Sequence, residues 1–291
     1  MGADFLEFAP AKINLTLRVL GRRADGYHDI ESLVAFARNV GDSVRLATGV
    51  PTSFSVVGPG SAAIGDDNIA ERALRLVQLA APNLAIGAIS LEKLLPIAGG
   101  VGGGSADAAA VLRLIRMADS ECAAQIDLDH IARSLGADVP VCLQNEAAVM
   151  TGIGDRIAPV RLPGRLPAVL VNPITPVPAA KTARVFAALG ATQVEARAAH
   201  SVIPTFKNFA AIVDYMDARE NALQAPAITL MPAIDDVLEA LRAAVGCRIA
   251  RLSGAGPTCF GLFETSEAAK AAERSIKSEK PSWWVRFAEL G

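Results

Sequence analysis

The chain has 291 residues, of which 52% are hydrophobic and 20% charged, and its 28 basic and 30 acidic side chains nearly cancel. This composition excludes a disordered chain, and the small net charge gives no indication of a nucleic-acid or anionic-membrane partner. Four widely spaced cysteines without a CxxC pair argue against a disulfide framework and a zinc knuckle. We therefore expect a cytoplasmic protein of about two domains. We expect it to be a monomer or weak homodimer that binds neither nucleic acid nor membrane.

Strand patterns dominate the first third of the chain. Residues 11–20 alternate apolar and polar side chains, which predicts a half-buried strand whose polar face carries Lys12 and Asn14. The Asp25–Gly26 pair that follows predicts a turn. Further strands are predicted at 30–38, 42–48, 53–58 and 89–95.

Helical patterns begin at residue 67. Apolar residues at helical spacing predict a helix over 67–80, with Asp67 or Asn68 as its cap. The remaining predicted helices cover 105–118, 127–136, 181–189 and 234–245. The remaining predicted strands cover 147–152, 167–173, 248–254, 259–264 and 283–289. Strand-then-helix blocks in both halves predict a two-domain α+β protein, which we divide into 1–158 and 159–291.

A glycine-rich stretch precedes the helix at 105–118. Five glycines occupy the six positions 99–104, a density that costs backbone entropy and calls for a geometric reason. The stretch matches neither the dinucleotide fingerprint, which needs glycine at 105, nor Walker A, which needs lysine there. It can hold an anion on backbone N–H groups at a helix N-terminus, with Ser105 as helix cap or phosphate donor. The alternative is a flexible surface turn before a capped helix.

The stretch PIAGGVGGGSADAAA resembles the ATP-binding signature of the GHMP kinases, the superfamily of galactokinase and homoserine, mevalonate and phosphomevalonate kinases. PAKINLTLRVLGRRADGYHDIESL and RLSGAGPTCFGLF resemble the first and third motifs of that family, in the same order. PAKINL with DGYH, together with LGADVPVCL, is most similar to the branch that phosphorylates 4-diphosphocytidyl-2-C-methyl-D-erythritol (CDP-methylerythritol). The chain departs from the family pattern at Ala106, Ala255 and Pro257.

This resemblance implies both a fold and an activity. The fold would be a ribosomal-protein-S5-domain-2-like N-terminal domain followed by a ferredoxin-like C-terminal domain. The activity would be ATP-dependent phosphorylation of the 2-hydroxyl of CDP-methylerythritol, in the methylerythritol phosphate route to isoprenoid precursors. Magnesium is expected to accompany ATP.

Two residues would carry the chemistry by this resemblance. Asp138 matches the catalytic aspartate, and Lys12 matches a lysine that faces the substrate and pairs with that aspartate. From the sequence alone, Asp138 reads as a turn-capping residue and Lys12 as a solvated surface lysine. Asn14 lies on the same face as Lys12 and would bind substrate in the same pocket.

The resemblance places ATP against three separate side chains and the glycine-rich stretch. Asn68, Lys93 and Pro96 would meet the nucleotide, although Asn68 alone reads as a helix cap and Lys93 as a solvated strand lysine. The phosphates would be bound by Gly99, Gly100, Gly102, Gly103, Gly104 and Ser105.

The substrate would be recognised by aromatic side chains and a second glycine loop. Tyr27 and His28 would hold the cytosine by stacking and hydrogen bonds, and Phe186 would stack on the other side of the base. Alone, these residues read as a turn aromatic, a solvated or core histidine and an ordinary core residue. The loop that would close the site consists of Gly254, Ala255 and Gly256, which alone read as a tight hairpin.

Two other functions are compatible with the same scaffold. Another GHMP kinase would act on mevalonate, homoserine or a sugar, and the DGYH segment argues against it. A non-catalytic nucleotide-binding regulator would need neither Lys12 nor Asp138, so the presence of both argues against it.

Overall fold

A computed structural model describes residues 2–61, 65, 68–192 and 203–291. The strands are β1 (Asp4–Asn14), β2 (Arg18–Arg22), β3 (His28–Ala47), β4 (Ser53–Val57), β5 (Ala88–Glu92), β6 (Ala148–Gly152), β7 (Arg156–Pro159), β8 (Leu166–Asn172), β9 (Cys247–Leu252), β10 (Cys259–Phe263) and β11 (Trp284–Leu290). The helices are α1 (Ile69–Ala80), α2 (Gly103–Ala118), α3 (Ser120–Ala123), α4 (Leu128–Leu135), α5 (Val139–Gln144), α6 (Lys181–Leu189), α7 (Phe209–Asp217), α8 (Gln224–Leu230), α9 (Ala233–Ala243) and α10 (Ser266–Glu279). None of these described helices is both long and apolar enough to cross a membrane.

Tertiary contacts divide the chain into two compact units. Unit 1 comprises Met1–Ala11, Gly41–Ile97 and Gly102–Asn145, and unit 2 comprises Lys12–Val40, Ala98–Val101 and Glu146–Gly291. Each unit consists of three separate segments of the chain, so the two units cannot be compared with a division at one residue. The division into 1–158 and 159–291 stays a prediction.

Unit 1 combines a short sheet with helices α1 to α5. β4 and β5 pair in parallel, and β5 pairs antiparallel with the last five residues of β3. Helix α1 lies between β4 and β5 in the chain, as parallel neighbours require. Helix α2 is buried over most of its length, and its alanines at 106 and 108–110 let α1 and α5 pack closely against it.

Unit 2 contains an antiparallel sheet in the order β11-β8-β10-β9. Helices α6 to α9 connect β8 to β9, and α10 connects β10 to β11. This β-α-β-β-α-β arrangement is ferredoxin-like, so the fold expected for the C-terminal part is confirmed. A core that includes Leu238, Phe263 and Val285 lies between this sheet and the helices α9 and α10. The same unit holds β2, β6 and β7, with β3 pairing antiparallel to both β2 and β6.

The α+β class and most predicted elements are confirmed, with three differences in the strands, of which the first is that β7 was not predicted. The strand predicted at 11–20 starts earlier, at Asp4, and is interrupted between Asn14 and Arg18. The separate strands predicted at 30–38 and 42–48 form the single strand β3. Gly41 looks like a break in the sequence, but an added Cβ there would lie 2.4 Å from the carbonyl oxygen of Ala9. The glycine therefore permits close backbone approach within a continuous strand.

Five helices were not predicted, namely the short α3 and α5 in the first half of the chain and α7, α8 and α10 in the second. The predicted cap of α1 is confirmed at Asn68, while the alternative cap, Asp67, lies outside the described residues. Asp127, the first residue of the helix predicted at 127–136, caps α4, since its side chain accepts a hydrogen bond from the backbone N–H of His130 at 2.7 Å.

Candidate functional site

The backbone carbonyls that open the glycine-rich stretch are all bound within unit 2. Four consecutive carbonyl oxygens accept hydrogen bonds from donors that are distant in sequence. These bonds run from Lys181 Nζ to Ala98 O at 2.9 Å, from the Thr258 N–H to Gly99 O at 2.9 Å, from Ser253 Oγ to Gly100 O at 3.1 Å and from the Lys12 N–H to Val101 O at 2.8 Å. The backbone of this stretch is therefore held in one conformation, which is inconsistent with a flexible surface turn.

Gly100 meets the second glycine loop directly. Its φ is +81°, and an added Cβ would lie 2.6 Å from the carbonyl oxygen of Gly256 and 2.8 Å from that of Ser253. No side chain fits there, so glycine is required. Residues 254–256 form the turn between the antiparallel strands β9 and β10, which confirms the hairpin reading. Unit 2 thus brings the predicted loop residues Gly100, Gly254 and Gly256 together.

In unit 1, helix α2 begins at Gly103 and its N-cap residue is Gly102, with φ at +64°. The predicted cap Ser105 is therefore wrong, because this residue lies inside the first turn. The first N–H groups of a helix have no partner within the helix and carry the positive end of its dipole. This end of α2 can bind an anion.

Lys93 is buried, so the reading of a solvated strand lysine is wrong. Its ammonium donates to Asp107 Oδ2 at 2.7 Å and also to Asp42, and only 4% of the lysine side chain is exposed. Burial by itself would lower the pKa of Lys93, but the two carboxylates outweigh it and raise the pKa. A Cβ on Gly103 would lie 3.3 Å from this Nζ, so the charge cluster borders the first turn of α2. The predicted contact of Lys93 with ATP stays a prediction.

Sequence reasoning missed both carboxylates. Asp107 stands inside the quoted signature, two residues after Ser105, and that position is the signal that could have found it. Asp42 offers no such signal, although it also accepts hydrogen bonds from the backbone N–H groups of Leu94 and Leu95, at 2.6 and 2.8 Å. Burial raises the pKa of Asp107 to about 8, with Lys93 opposing and Asp42 adding to the shift.

Asn68 both caps a helix and keeps a free donor. Its Oδ1 accepts from the backbone N–H of Ala70 at 2.9 Å, which confirms the helix-cap reading. Its Nδ2 is buried and has no hydrogen-bond partner among the described residues. A buried amide nitrogen without an acceptor is unfavourable, so a ligand acceptor there would be stabilising. The predicted ATP contact of Asn68 is compatible with this geometry.

Lys12 is not a surface lysine, because only 3% of it is exposed. Asp138 occupies the N-cap position of α5, but its side chain does not cap that helix and it is half-buried. Helix α5 is held by Arg113, which sequence reasoning missed and whose Nη1 donates to Cys142 O at 2.6 Å. Lys12 belongs to unit 2 and Asp138 to unit 1. Their predicted pairing stays a prediction.

Apart from Asp138, which is in unit 1, the residues predicted to bind substrate lie in unit 2. Tyr27 is 60% exposed and follows the predicted turn, where its backbone N–H donates to Asp25 Oδ1 at 3.0 Å. The rings of His28 and Phe186 stack on each other, with centroids 4.6 Å apart. A base between these two rings would have to displace one of them, so Tyr27 offers the open aromatic face. Burial lowers the pKa of His28, and the charge of Arg22 adds to that shift.

Asn14 forms hydrogen bonds to two serines that are distant from it in the sequence. Its Nδ2 donates to Ser32 Oγ at 2.8 Å, and its backbone N–H donates to Ser253 Oγ at 3.2 Å. Since the Ser253 hydroxyl also donates to Gly100 O, a single buried serine links this strand to the glycine-rich stretch. Sequence reasoning did not single out Ser253, although it stands next to Gly254 in the third motif.

Comparisons with known proteins match both halves of the chain. Residues 68–146 match the family model of the GHMP kinases N terminal domain, and residues 202–282 match that of the GHMP kinases C terminal. A protein of Bradyrhizobium diazoefficiens named 4-diphosphocytidyl-2-C-methyl-D-erythritol kinase is 45% identical, over 98% of this chain and 97% of its own. A protein of the same name from Methylorubrum extorquens is also 45% identical, over 97% of each chain.

Two solved structures superpose on nearly the whole chain. A crystal structure of 4-(cytidine 5'-diphospho)-2C-methyl-D-erythritol kinase superposes with a TM-score of 0.76 at 34% identity, covering 99% of both chains. A homoserine kinase from Cytophaga hutchinsonii superposes with a TM-score of 0.69 at 19% identity, covering 98% of this chain and 94% of its own. The second likeness extends to the fold alone.

Proposed function

Because this chain belongs to the GHMP kinases, and within them to the 4-diphosphocytidyl-2-C-methyl-D-erythritol kinases, we propose that it phosphorylates the 2-hydroxyl of CDP-methylerythritol with ATP. The observation that carries this proposal is 45% identity over 98% of the chain to a protein of that name. The step belongs to the methylerythritol phosphate route to isoprenoid precursors. The two-domain GHMP kinase fold expected from the motifs is confirmed by the family matches and the structural superposition.

ATP binding is supported by the backbone of the glycine-rich stretch. In unit 2 its carbonyls are bound to protein donors, and in unit 1 the first amides of α2, which have no acceptor within the helix, can bind an anion. We assign the ATP phosphates to these amides and part of the nucleoside to the free Nδ2 of Asn68. Magnesium bound with ATP would neutralise part of the negative charge of its phosphates.

The proposed reaction needs positioning and charge neutralisation more than covalent help. The 2-hydroxyl oxygen forms a bond to the γ-phosphorus, the bond from that phosphorus to the bridging oxygen breaks, and ADP leaves with the electron pair. Asp138 accepts the hydroxyl proton, a role compatible with its half-buried position. Lys12 supplies a positive charge that stabilises the oxygens during transfer.

The cytosine of the substrate is assigned to the exposed ring of Tyr27, with His28 reading the edge of the base. An open aromatic face binds a nucleobase by stacking. Phe186 contacts the His28 ring and so supports its orientation. These assignments favour a cytidine nucleotide over mevalonate, homoserine or a sugar, which carry no aromatic base.

The experiment that tests the proposal measures ADP release by the purified chain with ATP and magnesium. We expect turnover with CDP-methylerythritol and none above background with mevalonate or homoserine. Phosphorus NMR of the product should show a new phosphomonoester at the 2-position. Turnover with mevalonate or homoserine in place of CDP-methylerythritol would contradict the assignment.

The role of Asp138 is tested by Asp138→Asn, with Asp235→Asn on the exposed face of α9 as the matched control. Loss of the proton acceptor should lower kcat by about 100-fold or more, while the Kd of a non-hydrolysable ATP analogue stays within about threefold. The control should match the parent enzyme in both measurements. A kcat near the parent value for Asp138→Asn would exclude Asp138 as the base.

A further inference from the structure

Lys181 is a buried cation in an unfavourable place. It is the first residue of α6, and only 8% of it is exposed. Among the described residues it forms no ion pair, and burial lowers its pKa to about 8. A positive charge at a helix N-terminus also opposes the helix dipole. The burial of the charge and its position at a helix N-terminus are both unfavourable, which indicates that Lys181 has a role other than stabilising the fold locally.

The ammonium of Lys181 joins two separate loops of unit 2. It donates to the carbonyl oxygen of Ala98 at 2.9 Å and to the carbonyl oxygen of Gly256. Ala98 has φ at +54°, a conformation that disfavours residues other than glycine. The first loop leads directly into the glycine-rich stretch, and the second is the hairpin turn between β9 and β10. Their carbonyl oxygens converge on one nitrogen.

An ammonium suits this position better than a neutral side chain. It carries three N–H donors, whereas a hydroxyl carries one, and its charge offsets two carbonyl dipoles that point at the same place. Gly100 packs against the same loop, with no space for a Cβ near the oxygen of Gly256. The position of the 98–101 backbone therefore depends on the position of Gly256, and Lys181 bonds to both segments.

We propose that Lys181 is a positioning residue that ties the start of the phosphate-binding stretch to the 254–256 loop and thereby sets the affinity for ATP. The proposal rests on the proposed function, because it assigns the ATP phosphates to the amides that follow Val101. Lys181 acts through the backbone of Ala98 and Gly256. Displacement of that backbone by about 1 Å is enough to weaken phosphate binding strongly.

The test compares Lys181→Met, which keeps the stem and removes the donors, with Lys277→Met on the exposed face of α10. We expect Lys181→Met to weaken binding of a non-hydrolysable ATP analogue by about tenfold or more and to raise the KM for ATP similarly, with the KM for CDP-methylerythritol changed less than about threefold. Hydrogen exchange without nucleotide should be faster at amides 99–104 in Lys181→Met than in the control. A general loss of stability would lower the melting temperature without this split between the two substrates.

The other possible results of these measurements would overturn the proposal, the proposed function or both. Analogue binding and amide exchange in Lys181→Met that match the control would overturn it. If Lys181→Met does not fold, Lys181→Gln is measured, whose uncharged amide ends one bond short of the lysine nitrogen and cannot reproduce both bonds. Analogue affinity equal to the control in that variant would overturn the proposal as well. Analogue binding needs no turnover, so a parent protein that binds the analogue but does not phosphorylate CDP-methylerythritol contradicts only the proposed function. A parent protein that does not bind the analogue contradicts both.

Discussion

Lys93 and Asp107 form an ion pair of 2.7 Å in the interior of unit 1, where 4% and 3% of their side chains are exposed. Lys93 follows β5 directly, and Asp107 lies in the second turn of α2. Asp42, near the start of the unit 1 part of β3, is the second carboxylate on the same ammonium. One lysine therefore joins two strands of unit 1 to the helix that begins at Gly103.

Lys93→Met should destabilise the protein strongly. Removing the lysine leaves the buried carboxylate of Asp42 without its counter-charge, and breaking a buried ion pair in this way costs about 3–5 kcal/mol. Urea unfolding followed by circular dichroism measures the loss. Lys277→Met removes an exposed pair with Glu273 and should cost about 0.5 kcal/mol or less. Equal unfolding free energies for the two variants would contradict the structural role of Lys93.

Asp107→Asn should change how stability depends on pH. Burial raises the folded-state pKa of Asp107 from 3.8 to about 8, so the folded protein binds this proton more tightly than the unfolded chain. The stabilisation that results is complete below about pH 4 and is lost as the pH rises through about 8. Asparagine resembles the protonated form and does not titrate. The melting temperature of Asp107→Asn relative to the parent should therefore be higher at pH 8.5 than at pH 5.

That comparison has a built-in control, because every other titrating group is present in both proteins. A constant difference in melting temperature between pH 5 and pH 8.5 would show that the pKa of Asp107 is the same in the folded and unfolded states.

Tyr27→Ala should weaken substrate binding with little effect on stability. Tyr27 is 60% exposed, so removal of its ring takes away little buried surface. Base stacking on an aromatic side chain contributes about 1–3 kcal/mol, which corresponds to a rise in the KM for CDP-methylerythritol of about fivefold or more. Steady-state kinetics at saturating ATP measure it. Tyr27→Phe keeps the ring and should remain within about threefold of the parent, and an unchanged KM in Tyr27→Ala would exclude stacking on this ring.

Ile174→Gly should stabilise the protein. Ile174 is β-branched, 55% exposed and has φ at +51°, a region that glycine enters without steric strain. Relief of about 1–3 kcal/mol of strain exceeds the conformational entropy cost of glycine, which leaves a net gain of about 1 kcal/mol. The melting temperature should rise by about 2–4 °C.

Val245→Gly is the matched control, because Val245 is also β-branched and exposed but is not among the residues with positive φ. Glycine relieves no strain there, so Val245→Gly should not raise the melting temperature. A decrease in the melting temperature of Ile174→Gly would show that the left-handed conformation is not strained.

Features that depend on a few neighbouring residues were predicted well. Asn68 and Asp127 cap their helices through bonds to backbone N–H groups two and three residues away, and the 254–256 hairpin joins adjacent strands. Such interactions are local, so residue type and spacing are enough to predict them. Ser105 is an exception, because a glycine with positive φ starts the helix one turn before the residue with the best capping side chain.

The sequence by itself determined the family, the three longest helices of the first half and the glycine-rich stretch, because motifs and periodic patterns consist of residues close together in the chain. Only the tertiary structure decided that Lys12 and Lys93 are buried, that Asp42 and Asp107 share one ammonium, and that Lys181 bonds to two loops. Lys93 and Asp42 are 51 residues apart, and Lys181 and Ala98 are 83 apart. A charged side chain leaves water only where the fold supplies its partners, and those partners come from segments that no local pattern relates.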